Sequence, residues 1–232
     1  EIKTSLNHNS IIVGNSDGLI GFLFQNYDQG AFRQEESHFV HPRTYSFALF
    51  ALESFNFNLF DLDVGGRLES VNLKNTSLEK GFFPSAFSST IKRKIFNNSN
   101  AFAGFDFTER APNAVELFAN GPHHAQEQFE VGESTMSVET SYNFSIGYSY
   151  NDGFDTLKIE TYYNYIDDFI AADRDGTTTL VEGEDMNDVI FSQYNALFTG
   201  VEVSGQYAFA KINDFDIISN FMIDFLKGYR TS

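Results

Sequence analysis

The chain has 232 residues, enough for one large all-β domain, and it lacks cysteine, which excludes disulfides and thiolate metal sites. Its 32 acidic and 15 basic residues give a formal net charge of −17, which argues against nucleic acid and anionic lipid as partners and allows attraction of cations. Twenty-seven Phe and 11 Tyr, with no Trp, suit strands and the aromatic belts at membrane surfaces. A soluble acidic β protein fits this composition equally well.

Alternation of apolar and polar residues predicts about ten strands in chain order. They are expected near residues 2–12, 19–29, 43–54, 58–73, 83–94, 100–108, 137–150, 155–170, 191–210 and 215–228. No stretch approaches the roughly 18 apolar residues that a membrane helix needs, whereas a barrel strand needs only about 9 to 11. Helical periodicity is limited to residues 112–119, where Pro112 suits a first turn and Glu116 follows it.

The clearest period of two lies at residues 141–150. Aromatic and aliphatic side chains occupy one face of this strand: Tyr142, Phe144, Ile146, Tyr148 and Tyr150. Small or polar residues occupy the other face: Ser141, Asn143, Ser145, Gly147 and Ser149. A soluble sheet shows the same alternation. In a barrel, the apolar face with Tyr142, Phe144, Ile146 and Tyr148 would meet lipid. The opposite face with Ser141, Asn143 and Ser145 would meet the lumen.

The connections between the predicted strands alternate in length. Short ones are expected at 13–18, 55–57, 95–99, 151–154 and 211–214, and longer ones near 30–42, 74–82, 109–136 and 171–190. Outer-membrane barrels have short periplasmic turns and long external loops, whereas a β-sandwich mixes both kinds at each end. The pattern therefore predicts an up-and-down barrel with its long loops on one side, facing the cell exterior.

The most specific pattern is a series of short blocks between residues 107 and 143. The blocks are Phe107, Glu109-Arg110-Ala111-Pro112-Asn113-Ala114, Glu116-Leu117-Phe118-Ala119-Asn120-Gly121-Pro122-His123-His124-Ala125, Phe129-Glu130-Val131-Gly132 and Glu139-Thr140-Ser141-Tyr142-Asn143. In this order they resemble a signature of TonB-dependent outer-membrane receptors, and most narrowly the branch that includes zinc-uptake receptors. Residues 43–53, 63–69 and 192–203 look like further barrel strands of the same family.

The resemblance implies a 22-stranded barrel that is closed by an N-terminal plug and powered by the TonB complex of the inner membrane. Neither the plug nor a TonB-contacting segment matches anything in this sequence. The expectation is therefore that residues 1–232 form a partial antiparallel transmembrane β-barrel, about ten strands of a larger plugged barrel, without the plug domain or the C-terminal strands. Such a receptor would lie in the outer membrane of a Gram-negative bacterium, contact its lipid, and engage TonB through the missing plug.

The same resemblance implies transport of a metal ion or metal chelate rather than catalysis with a cofactor. Imidazole and carboxylate together suit zinc and similar divalent ions, and four of the five histidines fall on predicted long loops. The candidate metal ligands are His38, His41, His123 and His124. Acidic loop residues are further candidates: Glu127, Glu130, Asp173, Asp175, Glu182, Glu184 and Asp185. Solvated loops are commonly polar without binding a metal, so a structural role for each residue stays open.

Two other functions are compatible with parts of the sequence. A secreted or surface-exposed β-sandwich that serves in binding or adhesion would also have many alternating strands. An esterase using Ser16 is suggested only by the pattern Gly14-Asn15-Ser16-Asp17-Gly18. That motif requires a following helix, and residues 19–26 alternate as a strand does, so no enzyme is expected.

Overall fold

The computed structural model describes residues 1–9, 16–28, 42–212 and 215–231. The strands are β1 (Ile2–Asn9), β2 (Ser16–Asp28), β3 (Arg43–Asn56), β4 (Asp61–Lys74), β5 (Glu79–Phe82), β6 (Ser85–Phe96), β7 (Ser99–Arg110), β8 (Asn120–His123), β9 (Gln128–Val131), β10 (Glu139–Asn151), β11 (Thr156–Val181), β12 (Glu184–Ile212) and β13 (Phe215–Thr231). A helix, α1 (Ala114–Phe118), and a 3-10 turn (His124–Gln126) lie between β7 and β9. Within these described ranges, no helix is long and apolar enough to cross a membrane.

Ten of the strands form a continuous antiparallel wall in the order β1-β2-β3-β4-β6-β7-β10-β11-β12-β13. Each wall strand pairs with the wall strand that precedes it in the chain, which is the up-and-down arrangement. Short strands add to this wall: β5 pairs with β4, and β9 pairs in parallel with β12 and carries β8. The strands that the structure describes form one sheet, so the β-sandwich alternative is not favoured and the barrel architecture is confirmed.

The strand directions place the connections at two ends of the wall. Residues 57–60, 97–98 and 152–155 join strands at one end, which we call the short-connection end. Residues 75–84 and 111–138 join strands at the opposite, long-connection end. The described connections that were predicted to be short all lie at the first end, and those predicted to be long lie at the second. Of the predicted connections at 13–18, 30–42 and 211–214, residues 13–15, 30–41 and 213–214 lie outside the described residues.

The prediction of a long loop at 171–190 is wrong, because these residues extend β11 and β12 into a projecting hairpin. The hairpin turns at Glu182 and Gly183, whose φ angles of 52° and 92° are both positive, as in the two-residue turns that suit twisted strands. The β-branched run at 177–179 favours strand on the approach to this turn. The acidic side chains that the sequence places on a loop are therefore carried by paired strands.

The two faces of the wall differ as the alternation predicts. Phe144 and Ile146 are 53% and 61% exposed on the outer face, whereas Ser145 between them is buried on the inner face. Cross-strand aromatic pairs cover the outer face, with ring centroids 4.8 Å apart for Phe105 and Phe144. Such pairs contribute beyond the apolar area they bury. The outer face is therefore a broad apolar surface, as a barrel presents to lipid.

Small residues on the inner face let large rings lie flat against the wall. A methyl group on Gly147 would come within 2.3 Å of the Phe102 ring and 2.5 Å of the Ile159 carbonyl oxygen. Only glycine fits there, because one of the clashing atoms belongs to the backbone. The Phe102 ring in turn lies under the ammonium group of Lys158, 5.4 Å from the ring centroid.

Candidate functional site

Residues 111–138, which we call the inner loop, are fixed to the wall by Arg110 at the end of β7. Its Nη1 donates to both carboxylate oxygens of Glu116 on α1, at 3.1 and 2.9 Å. Its Nε and Nη2 donate to the two oxygens of Glu139 at the start of β10, at 3.3 and 3.1 Å. Glu139 also accepts the backbone N–H of Ile170 at 2.8 Å. Charge-assisted bonds of this bidentate kind are among the stronger ones in proteins, so one guanidinium group joins three wall strands to the loop.

The helix of the inner loop begins where the sequence predicts, with its cap made by the loop itself. Asn113 is the N-cap and accepts N–H groups of Val115 and Glu116 at 2.8 and 3.0 Å, while Glu116 accepts the Asn113 N–H at 2.7 Å. This reciprocal arrangement is a capping box. The far side of the loop returns to the helix, since Gly132 N–H donates to Ala119 at 2.7 Å and Glu133 N–H donates to Glu116 at 2.9 Å.

A small apolar core lies beneath the inner loop. Its members come from the loop and from two distant wall strands: Leu73, Ala114, Leu117, Met136 and Ile170. Leu73 and Leu117 are each only 2% exposed. Burying an aliphatic side chain of this size stabilises by about 1.5 to 3 kcal/mol, so the inner loop is a packed ledge on the inner wall.

The ledge presents the β8–β9 hairpin, which contains the histidine pair. His123 lies opposite Gln128, and its Nδ1 is enclosed without a hydrogen-bond partner among the described residues. His124 begins the 3-10 turn and is exposed. Glu127 ends that turn in the left-handed region with φ of 52° and is exposed, whereas Glu130 is buried in β9. The two adjacent imidazoles therefore have different surroundings.

The acidic candidates lie on the projecting hairpin, which adjoins the β8–β9 hairpin because β9 pairs with residues 187–190 of β12. Asp173 accepts the Ser192 hydroxyl at 3.2 Å and an Arg230 N–H at 3.4 Å. Asp175 accepts the Thr177 hydroxyl and N–H at 2.7 and 2.8 Å, and these bonds hold its pKa below the ordinary value. The last three candidates are exposed at or beside the tip: Glu182, Glu184 and Asp185.

The structure thus brings the histidine hairpin and the acidic hairpin together, but does not assemble a closed metal site from them. Among the described residues, no three His, Cys, Asp or Glu side chains are grouped so that they could hold one ion. His38 and His41 lie outside the described residues. Their part in a site with His123 and His124 stays a prediction.

A polar cavity beside the inner loop was not predicted from the sequence. It has a volume of about 230 Å³ and lies between strands β2 to β4 and the start of the loop. Gln25, Thr44, Ser46 and Glu69 line its wall side, and Arg110 lines its loop side. The available signal was the pair of hydroxyl residues two apart, Thr44 and Ser46, which alternation places on the inner face.

Comparison with known proteins agrees with this architecture. Residues 3–230 match the family described as TonB dependent receptor-like, beta-barrel, and the chain belongs to that family. It is therefore part of a β-barrel of the Gram-negative outer membrane. The narrower resemblance to zinc-uptake receptors remains a prediction.

Three solved structures illustrate the fold. The copper transporter OprC superposes with a TM-score of 0.58 at 14% identity, over 90% of this chain and 34% of that chain. The FrpB iron transporter from Neisseria meningitidis, in apoprotein form, gives 0.65 at 11% identity, over 98% and 36%. The Serratia marcescens hemophore receptor HasR, in complex with its hemophore HasA and heme, gives 0.64 at 15% identity, over 95% and 40%. The chain spans 34% to 40% of the length of these three proteins, which are transporters or receptors.

Proposed function

We propose that the chain forms part of the barrel of a receptor that takes up a metal ion or a metal chelate across the outer membrane. The observation that carries this proposal is the family match over residues 3–230. The names of similar structures, which refer to copper, iron and heme, support a metal-containing cargo. A plug domain and further barrel strands would complete the receptor, and the plug would engage the TonB complex that drives uptake.

Within this function we propose zinc as the first cargo to test. Support comes from His123 and His124 on the β8–β9 hairpin and from the carboxylates of the adjoining projecting hairpin. Zinc favours imidazole and carboxylate ligands. Adjacent histidines seldom bind one ion together without distortion, so we expect one of the pair to bind and the other to position the hairpin. The competing account is that both histidines serve the structure of the ledge, whatever the cargo.

Zinc titration of the intact receptor separates these accounts. His38, His41, His123 and His124 are replaced by Ala singly and together, and His8→Gln serves as a histidine control at the short-connection end. The proposal predicts that the quadruple variant loses most of its zinc affinity while His8→Gln retains it. Unchanged affinity in a folded quadruple variant would remove these residues from the site and favour a siderophore or heme as cargo.

A further inference from the structure

The cavity beside the inner loop is small and partly enclosed. Its floor includes Thr44 and Ser46, which are 4% and 5% exposed, and the fully buried Pro112. Sites that enclose whole ligands commonly measure about 300 to 1,000 Å³. At about 230 Å³, this cavity fits one arm of a larger ligand rather than a whole chelate.

The polar groups around the cavity carry an excess of negative charge. Arg110 is matched by two carboxylates, Glu116 and Glu139. Glu69 is matched by Arg67, whose two N–H groups both donate to Oε2, at 3.2 and 2.8 Å. Oε1 of Glu69 has no hydrogen-bond partner among the described residues. Glu109 precedes Arg110 and shares the outer face with Phe107, where its Oε2 accepts the N–H and hydroxyl of Ser85, so its carboxylate does not enter the cavity.

This set therefore has three carboxylates against two guanidinium groups, and the guanidinium N–H donors described above point to carboxylates. An anionic arm would meet net repulsion. A primary ammonium group offers three donors and no acceptor, which suits a carboxylate oxygen together with hydroxyl and amide oxygens. Gln25, Thr44 and Ser46 supply those neutral oxygens on the wall side.

We infer that this cavity is a subsite for a primary ammonium arm of the cargo, bound by Glu69 with help from the neutral oxygens of β2 and β3. The inference rests on the proposed function, because it concerns the same cargo. It names the chemical class of one part of that cargo: an amine-bearing chelate. An anionic arm would not use this subsite.

Saturation-transfer NMR on the purified intact receptor tests the subsite directly, with 5-aminopentan-1-ol as probe and its N-acetyl derivative as the uncharged match. Empty micelles provide the background. Glu69→Gln removes the charge from the cavity, and Gln25→Lys supplies a tethered ammonium group that would compete with the probe. Glu79→Gln makes the same charge change at an exposed position on β5, outside the cavity.

The amine should bind the wild type and Glu79→Gln alike. Binding should be at least about tenfold weaker for the acetylated probe, and for the amine with Glu69→Gln or Gln25→Lys. Absence of amine binding by the folded wild type, equal binding of both probes, or full binding by both cavity variants would overturn the inference. Metal and chelate uptake by cells is measured separately, so that failed uptake with intact amine binding contradicts the proposed function and leaves the cavity's preference standing.

Discussion

Arg110 is the residue on which the inner loop most depends. Its side chain is 40% exposed, whereas those of its partners Glu116 and Glu139 are only 11% and 13% exposed. Removing the guanidinium would leave two enclosed carboxylates without their cation. This is more damaging than losing the hydrogen bonds alone, because an enclosed unpaired charge is costly.

We therefore predict that Arg110→Met lowers the local opening free energy of the inner loop by about 1 to 3 kcal/mol, a value reduced for the partial exposure of Arg110. Hydrogen exchange of the amides at 113–136 should speed up accordingly. Arg43→Met is the matched control, because Arg43 bonds to the exposed Asp28 on the face of the wall opposite the inner loop, and its loss should leave exchange at 113–136 unchanged. Equal protection in both variants would show that the apolar core alone fixes the loop.

At the residue scale, the sequence predicts which kind of side chain lies on which element, but not which side chains contact each other. The sequence identified His8 as the one histidine on a strand, but not that its Nε2 lies 2.8 Å from Glu53 on the outer face of the wall. Gly18 on the intervening strand makes room for both side chains, since a methyl group there would lie 2.5 Å from each. Contacts across three strands depend on register, which alternation within a single strand does not determine.

At the scale of elements, the alternation at 141–150 predicted the two faces of β10 correctly. Ile146 lies opposite Ala103 and Thr161 on the exposed outer face. Asn143 lies on the inner face, where its side-chain amide donates to Asp106 at 3.1 Å. A cation at these two positions would therefore meet lipid in one case and a carboxylate in the other.

Arg at position 146 should destabilise the barrel by about 2 to 4 kcal/mol if the position is near the bilayer midplane. Arg at position 143 should cost little, because it would lie beside Asp106. The measurement is a denaturant titration of the intact receptor refolded into lipid vesicles, with Ile146→Arg and Asn143→Arg compared. Equal losses in the two variants would contradict the assignment of the faces.

The projecting hairpin shows where element prediction failed. Residues 171–190 separate two predicted strands and so predict a long loop, whereas Gly183 permits the two-residue turn that joins β11 to β12. The inner loop was predicted better, because Pro112, Asn113 and Glu116 encode a helix start locally. Its packing against Leu73 and Ile170 joins parts of the chain far apart in sequence, and only the folded wall brings them together.

At the scale of the whole molecule, ten predicted strands correspond to the ten strands of the wall. This agreement follows from the meander topology, in which every wall strand pairs with its predecessor, so the order of strands in the chain is their order in space. The pairing of the β8–β9 hairpin with the projecting hairpin is not predicted by the sequence. This parallel pairing joins residues 128–131 to 187–190, and no local pattern signals such a distant partner.

The central claim is that the wall spans the outer membrane with its long-connection end outside the cell. Its most direct test is the labelling of intact cells that carry the full receptor with an epitope tag at one of two hairpin turns. A tag between Glu182 and Gly183 should bind antibody on intact cells, whereas a tag at Gly153 in the short connection should bind only after the outer membrane is opened. Access to Gly153 on intact cells, with the 182–183 tag protected, would contradict the account.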